Sequence, residues 1–133
     1  MVKSKYSEKS PQLRLTKIEP SVTELAARFK LQPPRPELFA EALTHSSYAN
    51  EHHLASNERL EFLGDSVLSL ISSKLLFNHF AGENEGYLAK LKSIIISAPV
   101  LAGFAQELEL ERFLKLGEGE LKSSGKNKRN ILA

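Results

Sequence analysis

The most informative absence in this 133-residue sequence is cysteine. Without cysteine the chain forms no disulfide and no thiolate zinc site, which fits a reducing compartment. No apolar run reaches the ~18 residues of a membrane-spanning helix, and the opening MVKSKYSEKS holds no apolar segment typical of a secretory signal. We therefore expect a cytoplasmic protein with no membrane partner.

Signals for β structure and for nucleotide binding are missing as well. The sequence shows no pair of strand-like runs joined by a hairpin signal, and no internal repeat. Gly82, Gly86, Gly117 and Gly119 lack the strand and helix context that a phosphate-binding loop needs. These absences favour an all-α fold that uses no small-molecule cofactor.

Charge is nearly balanced overall but unevenly distributed along the chain. The net charge is +2, with 41% hydrophobic and 26% charged residues, values typical of one globular domain. Five basic residues against two acids precede Pro20, and four basic residues with no acid lie between Lys122 and Arg129. We predict a flexible basic lead-in over residues 1–19 and one helical domain over residues 20–133.

Periodicity and turn residues define the predicted helices. The run SVTE at residues 21–24 has the pattern of a capping box and opens a short helix that ends before Pro33. A second helix begins near Pro36, and HSSY at residues 45–48 closes it and enters a polar loop. Further helices are predicted at about 57–80, 87–97 and 99–108, with loops at 116–119 and 123–128 and a last helix opening at 130–133.

The longest predicted helix contains the most informative motif, NERLEFLGDSVL at residues 57–68. Glu58, Glu61 and Asp65 lie at positions i, i+3 and i+7 and share one face within roughly 60°. On the opposite side we predict a core-facing stripe made of Leu60, Leu63, Val67, Leu70 and Ile71. Three neighbouring like charges repel one another. The acidic face is therefore either solvated or compensated by a divalent cation such as Mg²⁺ or Mn²⁺.

Two residues of this motif favour more than a solvated face. Phe62 projects about 40° from Glu58, beside the acids and away from the predicted core stripe. Gly64 costs the helix about 1 kcal/mol against Ala, which indicates that another group approaches closely there. We predict that Phe62 and Gly64 lie in a dimer interface, with burial of Phe62 by a loop of its own chain as the alternative.

Histidines carry no predicted catalytic role. His45 follows Thr44 at a predicted helix end, where an imidazolium would favour the negative end of the helix dipole. The serines beside it, Ser46 and Ser47, suggest a nucleophile, but no acid is spaced to orient His45 as its base. The other three histidines have no partner at metal-ligand spacing.

The motif at residues 57–68 resembles the signature of the ribonuclease III endonuclease domain. HSSYANE at residues 45–51, EGYLAKLKS at 85–93 and LGEGE at 116–120 are similar to that family's other landmarks and occur in the same order. The resemblance implies an all-α ribonuclease III fold, a homodimer, and a metal-dependent endoribonuclease specific for double-stranded RNA. The products would carry 5′-phosphates and short 3′ overhangs, and the substrates would include rRNA and mRNA precursors.

The resemblance also implies roles for individual residues. Glu61 and Asp65 are expected to bind Mg²⁺, for which Mn²⁺ can substitute, and Glu58 to support this catalytic site. The bound metal would activate water for in-line attack on a phosphodiester and stabilise the departing oxygen. Four basic side chains are expected to contact RNA phosphates, unless they form only a solvated loop: Lys122, Lys126, Lys128 and Arg129.

The resemblance further implies that the domain is incomplete at its C-terminal end. In the family a second acidic pair follows the residues that match Ile131-Leu132-Ala133, and a double-stranded-RNA-binding domain comes after it. Neither is in this sequence, so we expect weak metal binding and little activity from this chain alone. The alternative function is a non-catalytic RNA-binding or ribosome-associated scaffold, and a third is a helical protein-interaction module.

Overall fold

The computed structural model of this protein describes residues 20–122 and 131–132. Within those residues the fold is all-α, as predicted, and an isolated bridge between Thr44 and Lys115 is the sole β pairing. The predicted lead-in at residues 1–19 and the predicted loop at 123–128 lie outside the described residues. The helices are α1 (Pro20–Arg28), α2 (Pro36–Ala42), α3 (Ser46–His52), α4 (Glu58–His79), α5 (Glu85–Ile95), α6 (Ala98–Glu107), a 3₁₀ helix (Leu110–Arg112) and α7 (Glu118–Lys122).

Most helix boundaries follow local signals in the sequence. Pro36 is the first residue of α2, where its missing N–H costs nothing. The helix predicted at 57–80 is confirmed as α4, within a residue at each end. Asn84 caps α5 by accepting the backbone N–H of Tyr87 at 3.0 Å. An edge-on contact between Phe80 and Tyr87, with ring centroids 5.9 Å apart, closes the turn between α4 and α5.

Three local predictions are wrong. α1 begins at Pro20, so Ser21 lies inside its first turn rather than ahead of it. Residues 46–52 form α3 rather than a loop, because His45 Nδ1 accepts the backbone N–H of Ser47 at 3.2 Å and caps this helix. His45 therefore serves the start of a helix, not the predicted helix end. Residues 118–122 form α7, so the second half of the loop predicted at 116–119 is helical.

The hydrophobic core lies between α1, α2 and the chain that follows α6. Val22 and Leu25 of α1 pack with Leu43 and Phe113, and all four side chains are buried. Five partly buried side chains extend this cluster: Phe29, Phe39, Ala40, Leu110 and Leu114. The core therefore joins the helices that precede α4 in the sequence to the segment near residue 113, which follows α6.

The long helix α4 contributes little to this core. It packs along α5, and its two buried side chains are Ser72 and Leu76. The core-facing stripe predicted on α4 is wrong: Leu60 is only half-buried, and Leu63, Val67, Leu70 and Ile71 are exposed. By helical angle Ser72 and Leu76 share a side with Glu58 and Asp65. The buried side of the second half of α4 thus continues into the acidic face of its first half.

α5 and α6 continue the packing away from α4. α5 packs on α4, and α6 packs on α5 through a bend of 51° between the two helices. Ile94 and Ile95 lie in the last turn of α5, which confirms the helix predicted there. No single described helix is long and apolar enough to cross a membrane, and α5 and α6 pass that test only as a bent pair.

Candidate functional site

The acidic face of α4, formed by Glu58, Glu61 and Asp65, lies on the first turns of the helix and is exposed. Glu58 and Glu61 occupy the first turn, where negative side chains interact favourably with the positive end of the helix dipole. Ser56 Oγ donates a hydrogen bond to Glu58 at 3.1 Å and restrains this carboxylate. The three acids therefore share one solvent-accessible surface, as their spacing predicts.

A metal ion would find two strong ligands on this face. Glu61 and Asp65 are one turn apart and offer carboxylate oxygens, the ligand type that Mg²⁺ prefers. Among the described residues, no group of three or more His, Asp or Glu side chains could hold a metal ion together. A cation held by two carboxylates would keep most of its water. The described residues thus offer two carboxylates of the type that a divalent cation binds.

Phe62 is the most exposed large apolar side chain in the described part of the chain, at 78%. The described residues therefore do not bury Phe62, and the alternative of a covering loop from the same chain is wrong for this part of the chain. At Gly64 an added Cβ would meet no described atom within 4 Å, so the close approach predicted there is not made by these residues. Both positions are open to a second molecule.

An apolar stripe extends this open surface along α4. We call Leu63, Val67, Leu70 and Ile71 the α4 apolar stripe; it covers about 12 Å of the helix at 1.5 Å per residue. Contiguous exposed apolar side chains of this kind mark interaction surfaces in soluble proteins. The face of α4 that was predicted to be core is thus exposed in the tertiary structure and is a candidate contact surface.

Sequence reasoning missed a hydrogen-bonded connection that we call the α3–α7 junction. Ser47 Oγ accepts the backbone N–H of Gly117 at 2.9 Å. The two carboxylate oxygens of Glu51 accept the backbone N–H of Glu118 at 3.0 and 3.2 Å. His45 Nδ1 lies 2.8 Å from Ser47 Oγ and extends the junction. The sequence does contain the two motifs involved, HSSYANE and LGEGE. Their order along the chain does not reveal that they are in contact.

Backbone hydrogen bonds connect this junction to the start of α4. The His45 N–H donates to the Lys115 carbonyl at 3.1 Å, and the Lys115 N–H donates to the Leu43 carbonyl at 2.8 Å. Between them, the Thr44 carbonyl accepts the Asn57 N–H at 2.8 Å. A continuous path of main-chain contacts therefore runs from the segment before α7 to the residue that precedes the acidic face.

One of the four predicted RNA contacts lies in the described part of the chain. Lys122 ends α7, is exposed, and donates to the carboxylate of Glu118 at 3.1 Å. Exposed ion pairs of this spacing contribute only about 0.3–0.5 kcal/mol, so a phosphate could replace Glu118 as the partner of Lys122. Lys126, Lys128 and Arg129 lie outside the described residues.

Comparison with known proteins places this chain in a family. A family model described as Ribonuclease-III-like matches residues 35–133. The chain belongs to this ribonuclease-III-like family. It is similar to ribonuclease 3 of Streptococcus pneumoniae strains G54 and D39, at 45% identity over 113 residues, which is 83% of this chain and 49% of each relative. The chain thus spans about half the length of the curated ribonuclease 3 relatives that it matches.

Solved structures of ribonuclease III nuclease domains share the fold. The 2.2 Å structure of the Campylobacter jejuni nuclease domain matches with a TM-score of 0.75 at 34% identity, over 86% of this chain and 76% of that one. A second structure of that domain, described as flexible in a region involved in dimer formation, also gives a TM-score of 0.75, at 35% identity over 84% and 76%. The predicted ribonuclease III fold is confirmed.

Proposed function

We propose that this chain is the nuclease domain of a cytoplasmic, divalent-metal-dependent endoribonuclease that cleaves double-stranded RNA. The products would be 5′-phosphate ends with short 3′ overhangs, and the substrates precursors of rRNA and mRNA. The observation that carries the proposal is the exposed acidic face of α4 in a chain of the ribonuclease-III-like family. The name of the curated relatives, ribonuclease 3, supports the class of reaction.

Each acidic residue has a part in this proposal. Glu61 and Asp65 would supply two carboxylates to Mg²⁺ or Mn²⁺, and Glu58, restrained by Ser56, would support them. When bound, the ion would activate water and stabilise the departing oxygen of the phosphodiester. Because the acidic face is open to solvent, a duplex can approach it without any rearrangement of the described residues.

We infer that the active form is a homodimer in which a second copy buries Phe62. Full burial of a Phe side chain is worth about 1.5–3 kcal/mol, and this one is 78% exposed in the single chain. In a two-fold dimer the contact is made twice, by the same patch on each copy. Phe62 lies between the acids Glu61 and Asp65 in the sequence, so such a contact would also bring two acidic faces near each other.

A cleavage assay tests the catalytic proposal. In a version extended past Ala133 to the length of the ribonuclease 3 relatives, Glu61→Gln and Asp65→Asn should each slow cleavage of an RNA duplex about 100-fold or more. Even supporting residues of metal sites cost about 10–100-fold when they are changed. Glu83→Gln, which changes an exposed acid in the loop between α4 and α5, should leave the rate unchanged. Cleavage at the parent rate in both variants would refute the proposal. Cleavage that continues after chelation of divalent cations would refute it as well.

A non-catalytic RNA-binding scaffold is the second candidate. The observation that favours it is the lack, among the described residues, of a three-ligand group for a metal ion. The same assay separates the two functions, because a scaffold would bind the duplex in the extended version without cutting it. Substitution of Glu61 or Asp65 would then leave RNA binding unchanged.

A further inference from the structure

The α3–α7 junction uses the two motifs, HSSYANE and LGEGE, to which the proposed chemistry assigns no role. Residues from the first motif accept hydrogen bonds from consecutive backbone N–H groups of the second, at Gly117 and Glu118. These two segments are 67 to 70 residues apart in the sequence, so local structure cannot account for their contact. The junction is a specific tertiary connection to the start of α7, the helix whose last residue is Lys122.

Gly117 shows how closely the two segments approach. A Cβ at this buried position would lie 2.5 Å from Glu51 Oε1 and 3.0 Å from the backbone carbonyl carbon of Ser47. The carboxylate could swing away, but it would then leave the Glu118 N–H, and the Ser47 backbone has no such freedom. Glycine is required here for the close approach of α3.

α7 is too short to be stable by itself. Five residues are far fewer than the ~12 that an isolated helix needs for even marginal stability in water. The large apolar side chain of α7, Leu121, is exposed, so apolar burial contributes little to its position. The hydrogen bonds that Glu51 and Ser47 accept therefore connect the N-terminal end of α7 to α3.

α3 is a firm support for these contacts. His45 caps its start, and the backbone N–H of His53, in the left-handed region at φ 56, closes its end on the Ala49 carbonyl. The rings of Tyr48 and His52 stack with centroids 4.0 Å apart, and Ala49 is buried. Glu51 thus projects from a helix that is capped at both ends.

We propose that Glu51 is a positioning residue for RNA binding, which acts through α7 on Lys122. Its carboxylate holds the Glu118 N–H, the Glu118 carboxylate holds the Lys122 ammonium at 3.1 Å, and one helical turn separates these two residues. The junction thus sets the position of the α7 backbone, from which the exposed Lys122 side chain reaches a phosphate of the duplex. The inference rests on the proposed function, because it takes double-stranded RNA as the ligand of Lys122.

Binding of an RNA duplex to single and double variants tests this role. Glu51→Ala should weaken binding about 3-fold to 10-fold, the range for one lost hydrogen bond. It should also flatten the dependence of log K on log salt by about the amount that one neutralised phosphate contributes. Glu51→Gln should restore most of the affinity, because its amide oxygen accepts the same N–H. The matched control Glu83→Ala removes an exposed acid elsewhere and should bind as the parent does.

A double-mutant cycle distinguishes positioning from general loss of structure. If Glu51 acts through Lys122, Glu51→Ala should have no further effect on affinity in a Lys122→Ala background. Amide hydrogen exchange at Gly117 and Glu118, measured without RNA, should quicken in Glu51→Ala and not in Glu83→Ala. In the extended version KM should rise while kcat at saturating RNA stays unchanged, since Glu51 is not assigned to the metal site.

The outcomes separate this inference from the proposed function. A parent that shows no salt-dependent binding of duplex RNA refutes the proposed function and this role with it. A parent that binds, together with Glu51→Ala binding equally well, refutes the positioning role alone. Additive losses in the double variant also refute it, because Glu51 would then act independently of Lys122.

Discussion

The carboxylate of Glu109 accepts a hydrogen bond from the guanidinium of Arg28 at 2.6 Å and so ties the start of the 3₁₀ helix to the end of α1. Arg112 donates to the same oxygen at 3.3 Å. The hydrogen bond and charge of Arg28, followed by those of Arg112, hold the pKa of Glu109 below its usual value. This cluster lies at the solvent-exposed edge of the core that contains Leu25 and Phe113.

The Glu109 cluster should make stability depend on pH in the acid range. Because the pKa is lower in the folded than in the unfolded protein, the contribution is full above the ordinary Glu pKa and disappears as pH falls through the folded value. Glu109→Gln should lower the melting temperature slightly near neutral pH and converge with the parent in acid. The effect is small because the carboxylate is exposed.

Thermal unfolding from about pH 7 to about pH 3, below the ordinary Glu pKa, measures this difference. Glu107→Gln, which changes an exposed acid at the end of α6, is the control and should follow the parent at every pH. A constant gap between Glu109→Gln and the parent across the whole range would contradict the assignment.

Metal binding should distinguish this chain from a longer one. If Glu61 and Asp65 are ligands, Mn²⁺ or Mg²⁺ should raise the melting temperature by mass action, more in a version extended past Ala133 than in this chain. Calorimetric titration of both versions, with Glu61→Gln as the ligand-deficient variant, gives the affinities. Equal and negligible binding in the two versions would remove the metal site from the proposal.

The basic residues near the C-terminal end should dominate the salt dependence of RNA binding. Replacing Lys122, Lys126, Lys128 and Arg129 with Ala should weaken duplex binding and reduce the slope of log K against log salt by roughly 0.7–0.9 for each phosphate that is no longer neutralised. Replacing Lys74 and Lys90, two exposed lysines on α4 and α5, removes half as much charge elsewhere and should change the slope little. A slope that stays at the parent value in the four-residue variant would exclude these residues from the RNA interface.

Phe62 should control assembly. Phe62→Ala should shift the protein from dimer toward monomer in sedimentation, because the partner would lose about 1.5–3 kcal/mol of burial at each of two equivalent contacts. Phe77→Ala is a matched control: it lies on the same helix about 22 Å away, at 1.5 Å per residue, and is 70% exposed. If the two variants dimerise alike, Phe62 does not anchor the interface.

Periodicity and turn residues were sufficient for most of the helices and for the acidic face. Residues 58–79 form one helix, and Glu58, Glu61 and Asp65 share a side of it, because their spacing follows directly from helical geometry. The same holds for the start of α2 at Pro36, which depends on the chemistry of a single residue. The short helices α3 and α7 escaped prediction, since their caps come from His45 and from the distant Glu51.

Burial, by contrast, was decided only by tertiary structure. The pattern of Leu63, Val67 and Leu70 locates an apolar stripe on α4, but a stripe does not specify which neighbour covers it. In the fold the buried side of α4 is the one that carries Ser72 and Leu76, so the more apolar side is left exposed. Likewise, Glu51 meets Glu118 only because the packing of helices brings together residues 67 positions apart. Local sequence determines helices and the side chains that share a face; long-range packing determines which faces become core and which remain available to partners.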